Sequence, residues 1–393
     1  MAADFPVGAG VAIDECVGVE WNQGTDTWRL IDEMANTIVS TLGALISTSY
    51  FNNHPVWGNI RRCTLADDGS VNHYGSNARG DGLTLDGTDG QVMVEIPKFY
   101  VKSSSPSANV YRRWISPVAK TGFEVHPWFK QRGGTERDHA YFGAYEAYKP
   151  AGALESRTGV APAVSTAIAT FRTNAQSRNA GLGQRWGITS IWGLSAIQTL
   201  FYIEYAGADS QSLIGRGRVD AGSKLNTGAD SADTNIGTNG TGTGTGADGQ
   251  TPIAYRGIEN LWGNIYKFVD GYDAVDGAGG YHLINRDGSG TFANPMAGGD
   301  YESSVAAPTT TDGYIKNIVY EDLLKYLMIS DGTAGSASTY LCDYFYAHNA
   351  GETNILLSGG HWTISGKAGV AFLSSTNVAT PVHTSVGARL EFV

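Results

Sequence analysis

The residues of this sequence that most resemble catalytic groups are two carboxylates and a few histidines. Glu204 lies near the end of an apolar segment, and Glu259 lies beside the segment NLWGN. Two carboxylates can hydrolyse a glycosidic bond when they flank it. The sequence gives no separation between these two, and Glu204 is also explained as a solvated helix end. His126, His139 and His282 stand among aromatic residues, which is typical of core or hydrogen-bonded structural histidines.

Catalytic and cofactor-binding signatures are missing from the sequence. It has no G-x-S-x-G elbow, no H-E-x-x-H motif and no Walker loop, and its glycine-rich GTGTGTGADG follows no apolar strand and opens no helix. The three cysteines, Cys16, Cys63 and Cys342, form no C-x-x-C pair, so we predict buried free thiols. We therefore predict no enzyme activity, no cofactor and no bound metal.

Several aspartates stand in turn-forming sequences. They are Asp67, Asp68, Asp86 and Asp89. Calcium ligation by them is not favoured, because the D-x-[DN]-x-[DN]-G loop pattern is absent. Asp-Gly turn chemistry explains their positions, so we predict turns.

Composition excludes some classes of partner. Charged residues make up 17% of the chain and the formal net charge is −11, which argues against binding to nucleic acid or to an anionic membrane. No apolar run approaches the length of a membrane span, and the N-terminus lacks a basic segment followed by an apolar one. We therefore expect no membrane insertion, no secretory signal and synthesis in a cytoplasm.

The elements that must position any site are short strands, turns and a few helices. The best predicted helix is 188–205, where Ile188, Ile191, Leu194, Ile197 and Phe201 recur at threes and fours and Thr189 or Ser190 can cap the start. Weaker helices are predicted at 27–46 with Asp26 as cap, at 155–178 with a break near Pro162, and at 320–328.

Strands are predicted within 10–21, on both sides of a turn at 67–69, and at 90–102, where Pro97 favours an edge position. The chain has 52 glycines in 393 residues, which favours turns and irregular connections. The Gly/Thr-rich tract at about 226–250 is predicted to be a surface loop. Trp262, Phe268, Tyr344 and Tyr346 are predicted core aromatics.

Several segments follow the order of motifs in a known family: FGAYEAYK, RWGITSIWGLSAIQTLFYIEY, GIENLWGNIYKFVDG and the ending GGHW…AGV…GARL. They resemble the C-type-lectin-like fold in its formylglycine-generating-enzyme variety. More specifically, they resemble the variable proteins of diversity-generating retroelements, whose type member is the phage major tropism determinant. NHPVWGNIRRCTLADDGSVNHY and LDGTDGQVMVEIPKFY resemble the N-terminal half of related phage tail receptor-binding proteins.

The resemblance covers about residues 50–393. It implies an α+β, C-type-lectin-like fold with short strands, about two main helices and long irregular loops. Residues 1–50 are then an N-terminal attachment or assembly segment, and residues 51–393 are the ligand-binding domain. The enzyme branch of the fold holds copper with a cysteine pair near its C-terminus, and only Cys342 lies in that half here.

In the retroelement family, the terminal segment is copied from a template whose AAC asparagine codons are mutagenised at adenine. Such codons yield residues such as Thr, Ile, Phe, Ser, Pro, His and Asn, and never Lys. The resemblance implies a variable region at about 362–389, whose ligand-binding slots are Thr363, Ile364, Phe372, Ser374, Thr376, Asn377, Pro381, His383 and Ser385.

A constant frame surrounds these slots. Its implied members are Gly359, Gly360, Trp362, Ala368, Gly369, Val370, Leu373, Gly387, Ala388 and Arg389. Glycines set the backbone and apolar residues anchor it, so intervening side chains can change on a rigid support. Lys367 does not fit an AAC codon; either that slot has another template or the register slips there.

The function implied by the resemblance is that of a virion tail-tip adhesin, which recognises a host cell-surface receptor, protein or glycan, through this variable surface. Its implied partners are other virion tail proteins and copies of itself in a homotrimer, and it acts outside the cell. The alternatives are a formylglycine-generating-like or glycan-processing enzyme, and a cellular variable ligand-binding protein.

Overall fold

The structure is a computed structural model of the chain. It describes residues 16–32, 38–41, 48–130, 132, 134–150, 152–229, 235–275, 280–285, 292–293, 301–347, 352–380 and 382–393.

Strands dominate the described residues. They are β1 (Val17–Asn22), β2 (Thr27–Asp32), β3 (Ile38–Thr41), β4 (Arg61–Leu65), β5 (Val71–Tyr74), β6 (Gln91–Pro97), β7 (Tyr100–Ser107), β8 (Val110–Ser116), β9 (Glu124–Val125), β10 (His139–Glu146), β11 (Trp186–Ile188), β12 (Gly242–Thr243), β13 (Ile253–Tyr255), β14 (Ile258–Glu259), β15 (Tyr266–Val275), β16 (Tyr281–Ile284), β17 (Glu302–Ser303), β18 (Gly313–Ile318), β19 (Ser330–Thr333), β20 (Tyr344–Tyr346), β21 (Thr353–Ser358), β22 (Leu373–Asn377), β23 (Val386–Gly387) and β24 (Arg389–Phe392). The helices are α1 (Thr48–Asn53), α2 (Ile168–Gln176), α3 (Ile191–Tyr205) and α4 (Ser210–Leu213).

The N-terminal strands belong to a six-stranded sheet of order β3-β2-β1-β8-β7-β9. Trp21 and Trp28 are register partners across β1 and β2, and their rings stack with centroids 5.3 Å apart. The helix predicted over 27–46 is therefore wrong where it is described, and Asp26 lies in the β1–β2 turn. Pairing of β1 with both β2 and β8 buries Trp28 and Leu30, and this tertiary pairing outweighs a weak helical period.

A second six-stranded sheet has the order β11-β24-β10-β6-β4-β5. Its β4–β5 hairpin confirms the turn predicted at 67–69. The edge position predicted for β6 is wrong, because β6 pairs with β4 and β10. Pro97 is tolerated because it is the last residue of the strand, opposite His139. The last strand of the chain, β24, lies between β10 and β11, so the C-terminus is part of the sheet.

The largest sheet holds the C-terminal strands in the order β17-β16-β15-β21-β22-β20-β18-β19, and β23 pairs with β15 in parallel. The β20–β22 pair is also parallel, although most of the neighbouring pairs are antiparallel. A small sheet of β12, β13 and β14 completes the set.

Helix α3 confirms the strongest helical prediction. Ser190 caps it by accepting a hydrogen bond from the Gly193 N–H, while Ile188 belongs to β11 instead. The helix is buried on nearly all sides from Ile191 to Ile203. Of the helix predicted over 155–178, only α2 forms.

Two other predictions need correction. Residues 320–328 form turns rather than a helix: Leu324 N–H bonds to Glu321 O and Leu327 N–H bonds to Leu324 O, each three residues back. The carbonyls of Lys325 and Tyr326 accept instead from the side chains of Arg113 and Ser195, which are tertiary contacts. The 226–250 tract is only partly a surface loop, because Ile236 is 1% exposed and the Thr227 hydroxyl donates to Arg157 O. Residues 230–234 lie outside the described residues.

The described architecture is mostly β with four α-helices, which is compatible with the α+β prediction. None of the three cysteines forms a disulfide bond, as predicted; Cys63 and Cys342 are buried and Cys16 is only partly buried. No helix within the described ranges is long and apolar enough to cross a membrane. The boundary near residue 50 stays a prediction, and β1 pairs with β8 across it.

Candidate ligand-binding surface

The predicted frame glycines occupy positions where a larger side chain has no room. A Cβ on Gly387 would lie 2.3 Å from Ala163 O, and one on Gly359 would lie 2.7 Å from Leu261 O. Gly359 and Gly360 also have φ of +83° and +78°, a region that favours glycine. A Cβ on Gly369 would lie 2.1 Å from the Asp343 carboxylate. These glycines are fixed by local packing.

The other frame residues are also anchored. Ala368, Val370, Leu373, Ala388 and Arg389 are buried. The Arg389 guanidinium donates to Gly143 O at 2.8 Å and to Asn260 O at 3.2 Å, tying β24 to two distant segments. Trp362 differs, because it is half-buried and reaches the surface.

The predicted slots differ in exposure. Thr363 and His383 are exposed, and Ile364, Thr376, Asn377 and Ser385 are half-buried. Phe372 and Ser374 are buried, at 0% and 4% exposure, so they lie beneath the surface. Pro381 lies outside the described residues.

The backbone at the slots is held by main-chain hydrogen bonds. His383 O accepts from the Ser165 N–H, and Ser385 O accepts from the Tyr266 N–H, both at 2.9 Å. Ser374 and Asn377 lie in β22, in register with Leu357 and Ile355 of β21. These contacts need no particular side chain at the slot, so the backbone path is independent of the residue there.

A continuous row of rings runs along this region. We call it the aromatic row, and its members in order are Trp362, His361, Tyr266, Phe372, Tyr346, Tyr344 and Tyr314. Neighbouring centroids are 4.6 Å apart at Tyr266–His361, 5.6 Å at Tyr266–Phe372 and 4.7 Å at Tyr344–Tyr346. All members except Phe372 are half-buried, so six of the rings reach the surface in part.

Strand alternation places the tyrosines on the row. In β20, Phe345 points into the core while Tyr344 and Tyr346 are half-buried, and Tyr344 is the register partner of Tyr314 in β18. The prediction that Tyr344 and Tyr346 are core residues is therefore wrong. Trp262 and Phe268 do lie in the core, as predicted.

Lys367 lies against the row. Its ammonium is 4.1 Å from the Tyr344 ring centroid and donates a 2.8 Å hydrogen bond to the Tyr346 hydroxyl. That hydrogen bond raises the pKa of Lys367. A fixed cation over tyrosine rings supplies a charged donor at a surface otherwise made of rings and hydroxyls.

Burial shifts the pKa of three members of the row. Burial raises the pKa of Tyr266 and of Tyr314, and it lowers the pKa of His361, with the nearby Lys267 ammonium adding to the last effect. These three shifts all favour the uncharged forms of Tyr266, Tyr314 and His361.

Buried polar groups support the row from below. Lys267 Nζ lies 3.2 Å from Glu146 Oε1 and donates to Gly263 O at 2.7 Å, while Asn264 Nδ2 donates to Glu146 Oε2 at 2.5 Å. Burial lowers the pKa of Lys267 to about 8. Trp362 N–H in turn donates to Asn264 O, so this cluster fixes one end of the row.

On the other side, Asp343 holds the loop that leads into β22. The carboxylate is 2% exposed and accepts from the Ala371 N–H at 2.7 Å. Burial raises the pKa of Asp343 well above its usual range. Asp343 also lines a polar cavity with Asp209, Arg216 and Asp248.

The groups considered for catalysis have structural contacts. Glu204 pairs with Arg256 at 2.5 Å, and Glu259 accepts from the Gly228 N–H at 3.0 Å. His126 is fully buried and His282 bonds the Tyr272 hydroxyl, but His139 is about half-exposed, so its core assignment is wrong.

Two of the predicted turn aspartates cap their own turns: Asp68 accepts from the Ser70 N–H and Asp86 from the Thr88 N–H. The Asp67 carboxylate pairs with Arg178. Asp89 instead accepts from Thr64 and contacts His73. Across the described ranges, no group of three or more His, Cys, Asp and Glu residues could hold a metal ion.

Sequence reasoning missed most of the aromatic row. Its tyrosines come from β15, β18 and β20, which are far apart in the chain. The available signal was the alternation Tyr344-Phe345-Tyr346, which predicts a strand with two tyrosines on one face.

Comparison with known proteins adds no relative. No family model matches the chain, and no curated protein matches it.

Proposed function

We propose that this protein is a virion tail-tip receptor-binding protein, which recognises a host cell-surface ligand through the aromatic row and the slots beside it. The observation that carries the proposal is the division between frame and slots. The frame residues are nearly all buried and their glycines accept no Cβ, whereas the slots His383 and Ser385, which reach the surface, are held through main-chain hydrogen bonds. Such a surface can change its side chains while its backbone stays in place.

The chemistry of the row supports a binding role. Tyrosine supplies a large, rigid, amphipathic contact area at a low cost in conformational entropy, as in antibody binding sites. Six of the seven rings are half-exposed and Lys367 adds a cation. These groups suit contact with a protein or glycan receptor more than the activation of a substrate.

The same proposal includes a C-type-lectin-like fold and assembly into a homotrimer. The mostly β architecture, with β24 of the C-terminus inserted between β10 and β11, accommodates a C-type-lectin-like arrangement. A homotrimer on a virion tail would present several copies to a repetitive cell surface, so that weak single contacts add up to avidity.

Labelled protein binding to a panel of bacterial and archaeal cells tests the proposal. We expect the double variant Tyr344→Ala/Lys367→Ala to lose at least about tenfold in apparent affinity, since it removes a ring and a charged donor. Tyr148→Ala is the matched control, because Tyr148 is a half-buried tyrosine outside the row. Equal binding by both variants, or binding to no cell in the panel, would contradict the proposal.

A further inference from the structure

One cavity of the described residues is lined by none of the residues of the aromatic row. It is a cavity of about 280 Å³ between three segments: the α1 region, the β4–β5 hairpin and the Gly/Thr-rich tract. Its polar lining includes Asn52, Asn59, Arg61, Ser76, Thr238 and Asn239. We call it the arginine–amide pocket. None of these residues belongs to the row or the slots.

The charge of this pocket is unusual for an acidic chain. Two arginines, Arg61 and Arg256, line it, and no Asp or Glu is among its described lining residues. Arg256 is 2% exposed and its guanidinium forms a bidentate pair with Glu204, at 2.5 and 3.1 Å. Glu204 therefore neutralises Arg256. Arg61 has a more distant carboxylate neighbour, Glu95, and it is the basic group that reaches the surface.

Arg61 has hydrogen-bonding capacity to spare. Its Nη2 lies 3.6 Å from Glu95 Oε1, close enough for an ion pair but too long for a hydrogen bond. Glu95 Oε2 is meanwhile occupied by the hydroxyls of Tyr74 at 2.8 Å and Tyr141 at 3.0 Å.

The guanidinium is held in position by a ring. Its carbon lies 3.5 Å from the Tyr74 ring centroid, and the Arg61 side chain is 39% exposed. A stacked, planar guanidinium is suited to bidentate binding of a carboxylate or phosphate.

The amides around Arg61 are oriented by their own contacts. Asn52 Oδ1 accepts from Arg256 at 2.7 Å and Asn239 Oδ1 accepts from the Thr241 N–H at 3.2 Å, so each directs its NH₂ elsewhere. Asn59 Nδ2 donates to Pro55 O at 2.8 Å, which leaves its carbonyl oxygen as an acceptor. Donors and acceptors side by side match hydroxyl groups, which both donate and accept.

We infer that the arginine–amide pocket binds an acidic sugar unit, with its anionic oxygens on Arg61 and its hydroxyls on the amides of Asn52, Asn59 and Asn239. The shared chemistry is a polyhydroxylated ring that bears a carboxylate or a phosphate. The pocket is small enough for one such ring. This pocket is separate from the row, so the inference does not depend on the proposed receptor-binding role.

Titration calorimetry or chemical-shift titration of the unaltered protein with four small probes tests the inference. The probes are glucuronate, glucose 6-phosphate, glucose and acetate. We expect at least one acidic sugar to bind about tenfold or more tighter than both glucose and acetate, since charged and hydroxyl contacts both contribute. Glucuronate and glucose 6-phosphate distinguish a carboxylate ligand from a phosphate ligand. If glucose bound as tightly as the acidic sugars, Arg61 would have no role in binding. If acetate bound as tightly, the pocket would be an anion site that does not recognise the sugar. Either result overturns the inference.

Variants locate the site. Arg61→Gln is expected to lower acidic-sugar affinity about tenfold, and Arg61→Lys is expected to lower it as well, because an ammonium lacks the bidentate fork. Arg157→Gln is the matched control, since the Arg157 guanidinium lies 4.7 Å from the Tyr148 ring centroid but outside the pocket. Circular dichroism checks that each variant is folded. Unchanged affinity in a folded Arg61 variant would overturn the assignment.

Discussion

At the scale of single residues, neighbouring positions in the 359–387 region obey different constraints. Gly369 is pressed against the Asp343 carboxylate, while Gly366, three residues earlier, has no atom closer than 3.9 Å to a built Cβ. Gly366 lies in a short 3₁₀ helix (Ser365–Lys367), and Gly369 lies just after it. Alanine substitutions at these two positions therefore distinguish a steric clash at Gly369 from a general sensitivity of this segment to any side chain.

Gly369→Ala is expected to destabilise the protein by roughly 1–3 kcal/mol or more, because the added methyl must displace a buried carboxylate that holds the Ala371 N–H. Gly366→Ala is expected to change the free energy of unfolding by less than about 0.5 kcal/mol. Urea denaturation of both variants measures the difference. Equal losses in the two would show that the frame assignment at Gly369 is wrong.

At the scale of elements, α3 is a buried helix whose polar side chains need partners. Ser195 of α3 lies 3.3 Å from His126 Nε2, and Trp128 N–H donates to His126 Nδ1 at 3.3 Å. Because Nδ1 accepts, the ring proton is on Nε2 and the imidazole is neutral. Burial, assisted by Arg113, lowers the pKa of His126 to about 3.

This histidine predicts acid sensitivity. In the unfolded chain a histidine has a pKa near 6.5, so its contribution to stability is complete above that pH and is lost as pH falls toward 3. Between pH 6 and pH 4, wild-type stability is expected to fall more steeply than that of His126→Gln, by up to ~1.4 kcal/mol per pH unit. Urea denaturation at several pH values compares the slopes. Parallel slopes would contradict the account of His126.

The elements also show what the sequence could predict. Helix α3 was predictable because its apolar period of threes and fours is strong over many residues and Ser190 supplies a cap. Strand β2 was not, because a four-residue spacing of Leu30, Met34, Ile38 and Leu42 resembles a helix, whereas pairing with β1 decides the structure. The helix predicted at 320–328 was wrong because side chains of distant segments, Arg113 and Ser195, take up two of its carbonyls, a tertiary effect that local preference does not contain.

The candidate site was predictable only in part. The family resemblance divided the positions near the C-terminus into frame residues and variable slots. The burial of nearly all frame residues agrees with that division. The exposure of each slot could not be predicted from the sequence, since Phe372 and Ser374 are buried although they occupy implied slots. The sequence could not predict that the tyrosines of the row lie side by side, because the sheet order β22-β20-β18 is a tertiary property.

At the scale of the whole molecule, a single large sheet brings the row and the slots to one region. Strands β15, β18, β20 and β22 of that sheet carry or border them. The chain is acidic, at a formal net charge of −11, so Lys367 and the neutral rings form a local exception rather than a broad charged face. Recognition by such a surface depends on shape and hydroxyl contacts more than on long-range charge.

The most direct test of the central claim changes only slots that reach the surface. The combined variant Thr363→Ala/Thr376→Ala/His383→Ala/Ser385→Ala is measured for cell binding and for melting temperature in one preparation. We predict a loss of binding of about tenfold or more with a melting temperature within about 2 °C of wild type, because the backbone there is held by main-chain hydrogen bonds. Unchanged binding would contradict the claim that these slots contact the receptor, and a collapsed melting temperature would contradict the claim that they can change without unfolding the protein.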